Sequence, residues 1–376
     1  MKILLALTGS VASVLYEKLI TELQSIAPVD VIVTEKTKCF VHFPTLCDVL
    51  EKNNGFLYQD DDEWTWKRNP TTDNSSHIKS YWEKNDPVLH IDLRDRSGIL
   101  VVAPCSANTL AKLANGITDN LLTSVARAWD MTRLKIVAPA MNTHMYEHPA
   151  TQEHIEKLQK WGWIVIPPQS KMLACGTEGM GALANINTIV TTIKEQLRWT
   201  FPIWHESCAG VPIGEHQGAF AAKRKYSIHT GVDLYVPKRT PVRAVEDGRV
   251  VCIEQFTGPN EKTPWWLDTD CVLVEGTSGV VCYGEIKPCS ELQVGNVVQR
   301  GSILGHVLPV LPDHKLRSDI DGHMVSMLHM ELYPHKRYKP SDGYEKDKGD
   351  LRDPTPWLMD AIGAPKKTFV HPKVTD

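Results

Sequence analysis

Short polar side chains at glycine-flanked turns are the first groups in this 376-residue chain that could do chemistry. Thr8-Gly9-Ser10-Val11-Ala12 follows the apolar run ILLAL. Small residues there let backbone N–H groups approach an anion at a helix N-terminus, and the Ser10 hydroxyl adds a donor. Any strand-to-helix turn favours Gly and Ser, so this loop alone is not diagnostic. Ala103-Pro104-Cys105-Ser106-Ala107-Asn108-Thr109 again leads from an apolar run into a helical one, where Ser106 or Asn108 would equally serve as a helix cap. Ala138-Pro139-Ala140-Met141-Asn142-Thr143-His144-Met145 sets an Asn directly after a strand, between two Met residues that would suit plain packing. In Leu173-Ala174-Cys175-Gly176-Thr177-Glu178-Gly179-Met180-Gly181-Ala182 a thiol stands among glycines. Such a segment suits a lid whose Cys is a nucleophile or proton donor, or else carries an incidental surface thiol. Far along the chain, His229 and Asp233 stand four apart and His329 follows much later. Two His and one Asp suffice for a tetrahedral zinc with an open fourth position. That spacing is common by chance, and a turn Asp with two surface histidines is the alternative.

These residues need a frame. ILLAL, VDVIVT, GILVVAP, LKIVAP and WIVIP are continuous apolar runs, interleaved with helical stretches: one to about Leu23, ANTLAKLANGITDNLLTSVARAW, HPATQEHIEKLQKWG and INTIVTTIKEQLRW. That alternation predicts an α/β domain, an open parallel sheet covered on both faces. The three loops then fall at the carboxyl ends of strands, where such sheets bind ligands. The polar stretch Glu51–Asp86 reads as a long surface excursion, with NPTTDNSSHIKSYWEKN as an insertion. After Pro202 short runs such as PVRAVEDGRVVCIE, CVLVEG and GVVCYGEI alternate with Gly and Pro turns, an all-β pattern with no helix of any length. The boundary falls at 200–205, and the last forty residues read as polar and partly extended.

Composition narrows the function classes. A formal charge of −4 leaves no basic footprint, so nucleic acid is not an expected partner. No apolar run reaches bilayer-spanning length, so no membrane partner is expected. The opening MKILLALTGSVAS has two readings, a secretory signal or a strand turning into a helix. Its apolar core, Ile3 to Leu7, is shorter than the roughly 7–15 residues of a signal's apolar region. Nine scattered cysteines, an odd number, fit free thiols in a reducing compartment. The expected location is cytoplasmic.

TGSVA, DPVLHIDLR, APCSANTLAKLANGITDNLLT, RAWD, PAMNTHMYEHP and CGTEGMGA, in this order, make residues 1–200 resemble the flavin-containing cysteine decarboxylases of the phosphopantothenoylcysteine type. The resemblance implies a flavodoxin-like (Rossmann-like) sheet, a homotrimer with FMN between subunits, and decarboxylation of 4'-phosphopantothenoylcysteine to 4'-phosphopantetheine in coenzyme A biosynthesis. It implies FMN against Gly9, Ser10, Val11, Thr34, Phe40, Ser106, Ala107, Asn108, Thr109 and Ala140. It implies substrate binding by Asn142 and by the backbone at Met172, Leu173 and Ala174, with His90 and Cys175 catalytic. Without the resemblance, His90 beside an apolar strand reads as a core residue. One departure is Tyr146, where the family commonly has Trp. A different class, regulatory phosphatase-inhibitor-like flavoprotein subunits, has lost catalytic residues that this chain keeps.

HTGVDLYVPKRTPVRAVEDGRVV, VGNVVQRGSILGHV, LHMELY and DPTPWL make residues 205–358 resemble the lysostaphin-type (M23) metallopeptidases, leaving 359–376 as a tail. The resemblance implies zinc on His229, Asp233 and His329. It also exposes two departures: Met327 stands where the family has a His, and Tyr283-Gly284-Glu285 replaces a Tyr-x-His. Those histidines assist the zinc-bound water and the transition state. Met can do neither, so the expected module is peptidase-like, able to hold zinc or a partner, and no longer peptide-cleaving.

Overall fold

Runs of Ile, Leu and Val in the first half become the buried strands β1 (Ile3–Leu7), β2 (Val29–Val33), β4 (Ile99–Cys105) and β5 (Leu134–Pro139), flanked by the two-residue, partly buried β3 (Leu57–Tyr58) and β6 (Ile164–Val165). All pair in parallel, in the order β3-β2-β1-β4-β5-β6. Setting aside the two-residue edge strand β3, the order of the five principal strands is that of a flavodoxin-type sheet. The direction of winding reverses where β1 and β4 lie side by side. Helices α1 (Tyr16–Gln24), α2 (Phe43–Glu51), α3 (Leu89–Arg96), α4 (Ala107–Asn115), α5 (Leu121–Ala128), α6 (Thr143–Glu147), α7 (Pro149–Lys160) and α8 (Ile186–Leu197) complete this unit. A short antiparallel hairpin, β7 (Gln169–Met172) with β8 (Glu178–Ala182), follows β6.

The structure, a computed structural model, describes residues 2–64, 86–172, 178–204, 208, 210–224, 227–261, 263, 266–312, 314, 317–318, 324–340 and 350–362. The chain forms two units, Met1–Gln196 and Leu197–Asp376. The second is an antiparallel sheet of nine strands. They are β9 (Val232–Pro237), β10 (Pro241–Arg243), β11 (Gly248–Thr257), β12 (Thr269–Gly276), β13 (Val280–Pro288), β14 (Val297–Val298), β15 (Ile303–Val307), β16 (Arg317–Ser318) and β17 (Met324–Tyr333). Val232, Leu234, Val272, Tyr283, Leu328 and Met330 are among the fully buried residues of its core. No described helix is long and apolar enough to cross a membrane.

Four expectations change. The run 107–129 is two helices: Gly116 turns left-handed (φ 65°) to end α4, and a reciprocal Asn120–Thr123 capping box starts α5. The stretch after Glu51 is not all excursion, because Leu57–Tyr58 pairs with β2 and Asp60–Trp64 forms a 3-10 turn. The proposed insertion, 69–85, lies outside the described residues. LHIDLR is the helix α3 rather than a strand margin. Finally, the polar tail contains a helix, α9 (Thr355–Ile362), because Leu358 finds a fully buried place in the β core and Trp357 stacks on Trp199 at 5.3 Å.

Candidate functional site

Three of the loops singled out by sequence are tied together where β1 meets β4. The fully buried Thr8 donates its hydroxyl to the Pro104 carbonyl (2.8 Å) and accepts the Ser106 N–H (2.9 Å). The Ala140 N–H donates to the Cys105 carbonyl (2.9 Å), and the Ser10 hydroxyl donates to the Ala140 carbonyl (3.1 Å). From β2, the Thr34 N–H and the Thr37 hydroxyl both donate to the Leu7 carbonyl (3.2 and 2.8 Å). Gly9 is required for closeness: a Cβ there would sit 2.6 Å from Lys36 Cβ.

Gly9, Ser10, Val11, Thr34, Ser106, Ala107, Asn108, Thr109 and Ala140 thus share the carboxyl edge of the sheet. Phe40 closes the 3-10 turn Glu35–Cys39 that follows β2. Ser106 caps α4 by accepting the Thr109 N–H (3.3 Å). The remaining N–H groups of that first turn have no intrahelical partner, as at any helix start. Those helix-start N–H groups suit a phosphate.

Asn142 starts α6 and accepts the His144 N–H on its side-chain oxygen (3.0 Å). The β7–β8 hairpin reaches this loop through the Met141 N–H, which donates to the Gly181 carbonyl at 2.9 Å. Gly181 (φ 142°) is needed for that approach, since a Cβ would lie 2.2 Å from the Met141 carbonyl oxygen. Met172 ends β7, while Leu173, Ala174 and Cys175 lie outside the described residues. Tyr146 packs partly buried against the sheet core.

His90 is in the first turn of α3. Because α3 leads directly into β4, that turn faces the carboxyl edge. Its partner was not legible in the sequence: Glu63, only 5% exposed, from the 3-10 turn. Glu63 Oε2 accepts the His90 backbone N–H at 3.0 Å, and Oε1 lies 2.5 Å from Nδ1. The acidic run Asp60-Asp61-Asp62-Glu63 reads as solvated surface, and only its pairing 27 residues downstream reveals otherwise.

In the second unit, His229, Asp233 and His329 converge, all buried, with one ligand atom from each lying within 4.8 Å of the others. Strand pairing does this: β9 and β17 place Asp233 opposite His329. His229 Nε2 is 3.1 Å from Asp233 Oδ1 and 3.3 Å from His329 Nδ1, which is itself 2.8 Å from Asp233 Oδ1. His229 Nδ1 donates to the Ala219 carbonyl (2.8 Å). His329 Nε2 lies 3.2 Å from Glu331 Oε1, the carboxylate arrangement that orients metal-binding imidazoles. Arg224 pairs with Asp233 Oδ2 at 3.1 Å.

Burial opposes the His329 charge, but Asp233 and Glu331 outweigh it and raise its pKa to about 10. Burial also works against the Asp233 carboxylate, yet His229 and His329 hold it well below the usual range. Glu285, pushed up to about 8 by burial and by Asp233, lies on β13 next to Gly284, the residue paired with His329. Its left-handed backbone (φ 62°) and an unpartnered Oε2 mark a strained position. A cavity beside Asp233 is lined by Gln217, Lys223, Arg224, Tyr235 and Met327.

A flavodoxin-type sheet with phosphate-ready loops at its winding reversal defines the class of the first unit. Residues 1–198 match the family described as Flavoprotein, and the chain belongs to that family. The phosphopantothenoylcysteine decarboxylase of Mus musculus is 42% identical over 199 residues, covering 52% of this chain and 87% of the relative. That of Oryza sativa subsp. japonica is 41% identical over 216 residues, 57% of this chain and 89% of the relative. A solved structure described as the FMN binding protein AtHal3 is 40% identical, over 52% of this chain and 95% of its own, with a TM-score of 0.44.

Proposed function

We propose that this chain decarboxylates 4'-phosphopantothenoylcysteine to 4'-phosphopantetheine, a step of coenzyme A biosynthesis, using FMN at the β1–β4 crevice. The observation that carries the reading is the convergence of the 8–12, 105–109 and 140–142 loops on one sheet edge, in a chain 42% identical to a decarboxylase of that name. Gly9, Ser10, Val11, Thr34, Phe40, Ser106, Ala107, Asn108, Thr109 and Ala140 would hold FMN, and the helix-start N–H donors described above fit its phosphate. When bound, FMN supplies the reversible two-electron oxidation that places an electron sink β to the substrate carboxylate.

The chain's own residues bind, orient and move protons. Asn142 and the backbone of 172–174 hold the carboxylate. His90 accepts a proton, and Cys175 returns one at the end. The enzyme is read as cytoplasmic and homotrimeric. Val11, Val14 and Leu15, exposed at 50%, 55% and 44% beside the first loop, supply an apolar face for self-association. Purified flavin-loaded protein should release CO2 from 4'-phosphopantothenoylcysteine, and failure to do so overturns the reading.

The converging His229, Asp233 and His329 favour a second reading, for the other unit: a lysostaphin-like module that holds zinc on these three side chains. Zinc there would supply Lewis acidity. Met327 and Glu285 replace two assisting histidines, so peptide cleavage is not part of the reading. Metal analysis of the full chain beside His229→Ala tests it: one zinc per chain is expected, lost in the variant.

A further inference from the structure

We propose that Glu63 is the positioning residue for His90, fixing which ring nitrogen takes the proton. The inference rests on the decarboxylase reading of the first unit.

Glu63 commits both carboxylate oxygens to one residue, Oε2 to the His90 backbone N–H (3.0 Å) and Oε1 to ring Nδ1 (2.5 Å). The first contact replaces a missing cap. Val88 precedes α3 and has no side-chain acceptor for the orphan N–H groups of the first turn. The second contact sets the tautomer. A carboxylate accepts, so Nδ1 carries the proton and the neutral ring keeps its lone pair on Nε2. Among the described residues no hydrogen bond engages Nε2. That nitrogen would accept the substrate's thiol proton, with bound FMN serving as the two-electron acceptor for oxidation of the C–S unit. The imidazolium so formed is held by Glu63.

Glu63 is itself held firmly. Asp60, on the same 3-10 turn, accepts the Leu121 N–H at the start of α5 (3.1 Å), and the Gln59 N–H donates to Asp62 Oδ2 (2.8 Å). The acidic turn is therefore a bracket between α5 and α3, with Glu63 its one buried side chain.

Glu63→Gln separates this role from simple capping. The amide oxygen still accepts the His90 N–H, but the amide NH2 facing Nδ1 favours the opposite tautomer. The expected result in the FMN-loaded full chain is a kcat lowered by about 10²- to 10⁴-fold, with KM changed only a few-fold. Flavin content and thermal midpoint should match the wild type. Ring 15N shifts of His90 should report Nδ1–H in the wild type and Nε2–H in the variant. In a His90→Asn background, Glu63→Gln should cost nothing further. Wild-type kcat in Glu63→Gln, or an Nε2–H ring in the wild type, overturns the proposal. If the wild type releases no CO2, the decarboxylase reading fails, while the 15N measurement still decides whether Glu63 sets the tautomer.

Discussion

The two units build their sites from different material. In the first, backbone does most of the recognition: N–H groups at a helix start, carbonyls locked by Thr8 and Ser10, and glycines where chain approaches chain. Its side chains are of mixed exposure: Ser10, His90, Ser106 and Asn142 are partly exposed, while Thr34, Thr109 and Ala140 are buried. In the second, the candidate ligands are polar side chains buried at 2%, 2% and 7% exposure, already in contact with one another and with Arg224 and Glu331. The first site is poised for a ligand that arrives with its own chemistry. The second is an ionic core whose members compensate each other, and a cation would have to displace those contacts. Parallel strands leave all their loops at one edge, whereas antiparallel strands bring side chains face to face across the sheet.

The contrast can be broken at several points. His90→Asn removes the proposed proton acceptor of the first site, and kcat should fall by about 10²- to 10⁴-fold with flavin still bound, as read by CO2 release and flavin absorbance. Glu246, in the second unit, is pushed up to about 7 by burial, against hydrogen bonds from the Ser278 N–H and hydroxyl. Its folded pKa exceeds the unfolded value of 4.5, so its contribution is complete below about 4.5 and lost as pH rises through about 7. The loss is roughly 3 kcal/mol. Denaturant unfolding of Glu246→Gln should lack that pH-dependent loss. On the proposal that His229, Asp233 and His329 hold zinc, Glu331→Gln should weaken its binding by about 10- to 100-fold, measured by chelator competition, because Glu331 contacts His329 from outside the three proposed ligands. Smallest, Asn120→Ala should destabilise the first unit by about 1 kcal/mol through loss of the capping box, seen as a lower unfolding midpoint.

Legibility followed the same division. The strands β1, β2, β4 and β5 were readable because both faces are buried and the sequence is apolar throughout. The loops after them were readable because a backbone site occupies consecutive residues. The break at Gly116 and the helix α9 were missed: one needed a left-handed turn inside a helical pattern, the other a hydrophobic slot supplied by distant strands. Glu63 was missed because an acidic run is ordinarily solvated, and its partner comes from another element. Arg224 was missed too, since nothing local signals its pairing with Asp233. His229, Asp233 and His329 were named together from residue type and resemblance, although His229 and His329 are 100 residues apart and their meeting depends on strand register.

Thr8 has a thermodynamic consequence. By bonding to both Pro104 and Ser106 it fixes the spacing between the ends of β1 and β4 when the chain folds. The entropy of ordering the crevice is thus surrendered during folding and not at each encounter with a ligand. Affinity and fold stability become linked quantities at this point. Loosening Thr8 would surface as weaker retention of whatever occupies the crevice, and an occupant would raise the unfolding midpoint by mass action.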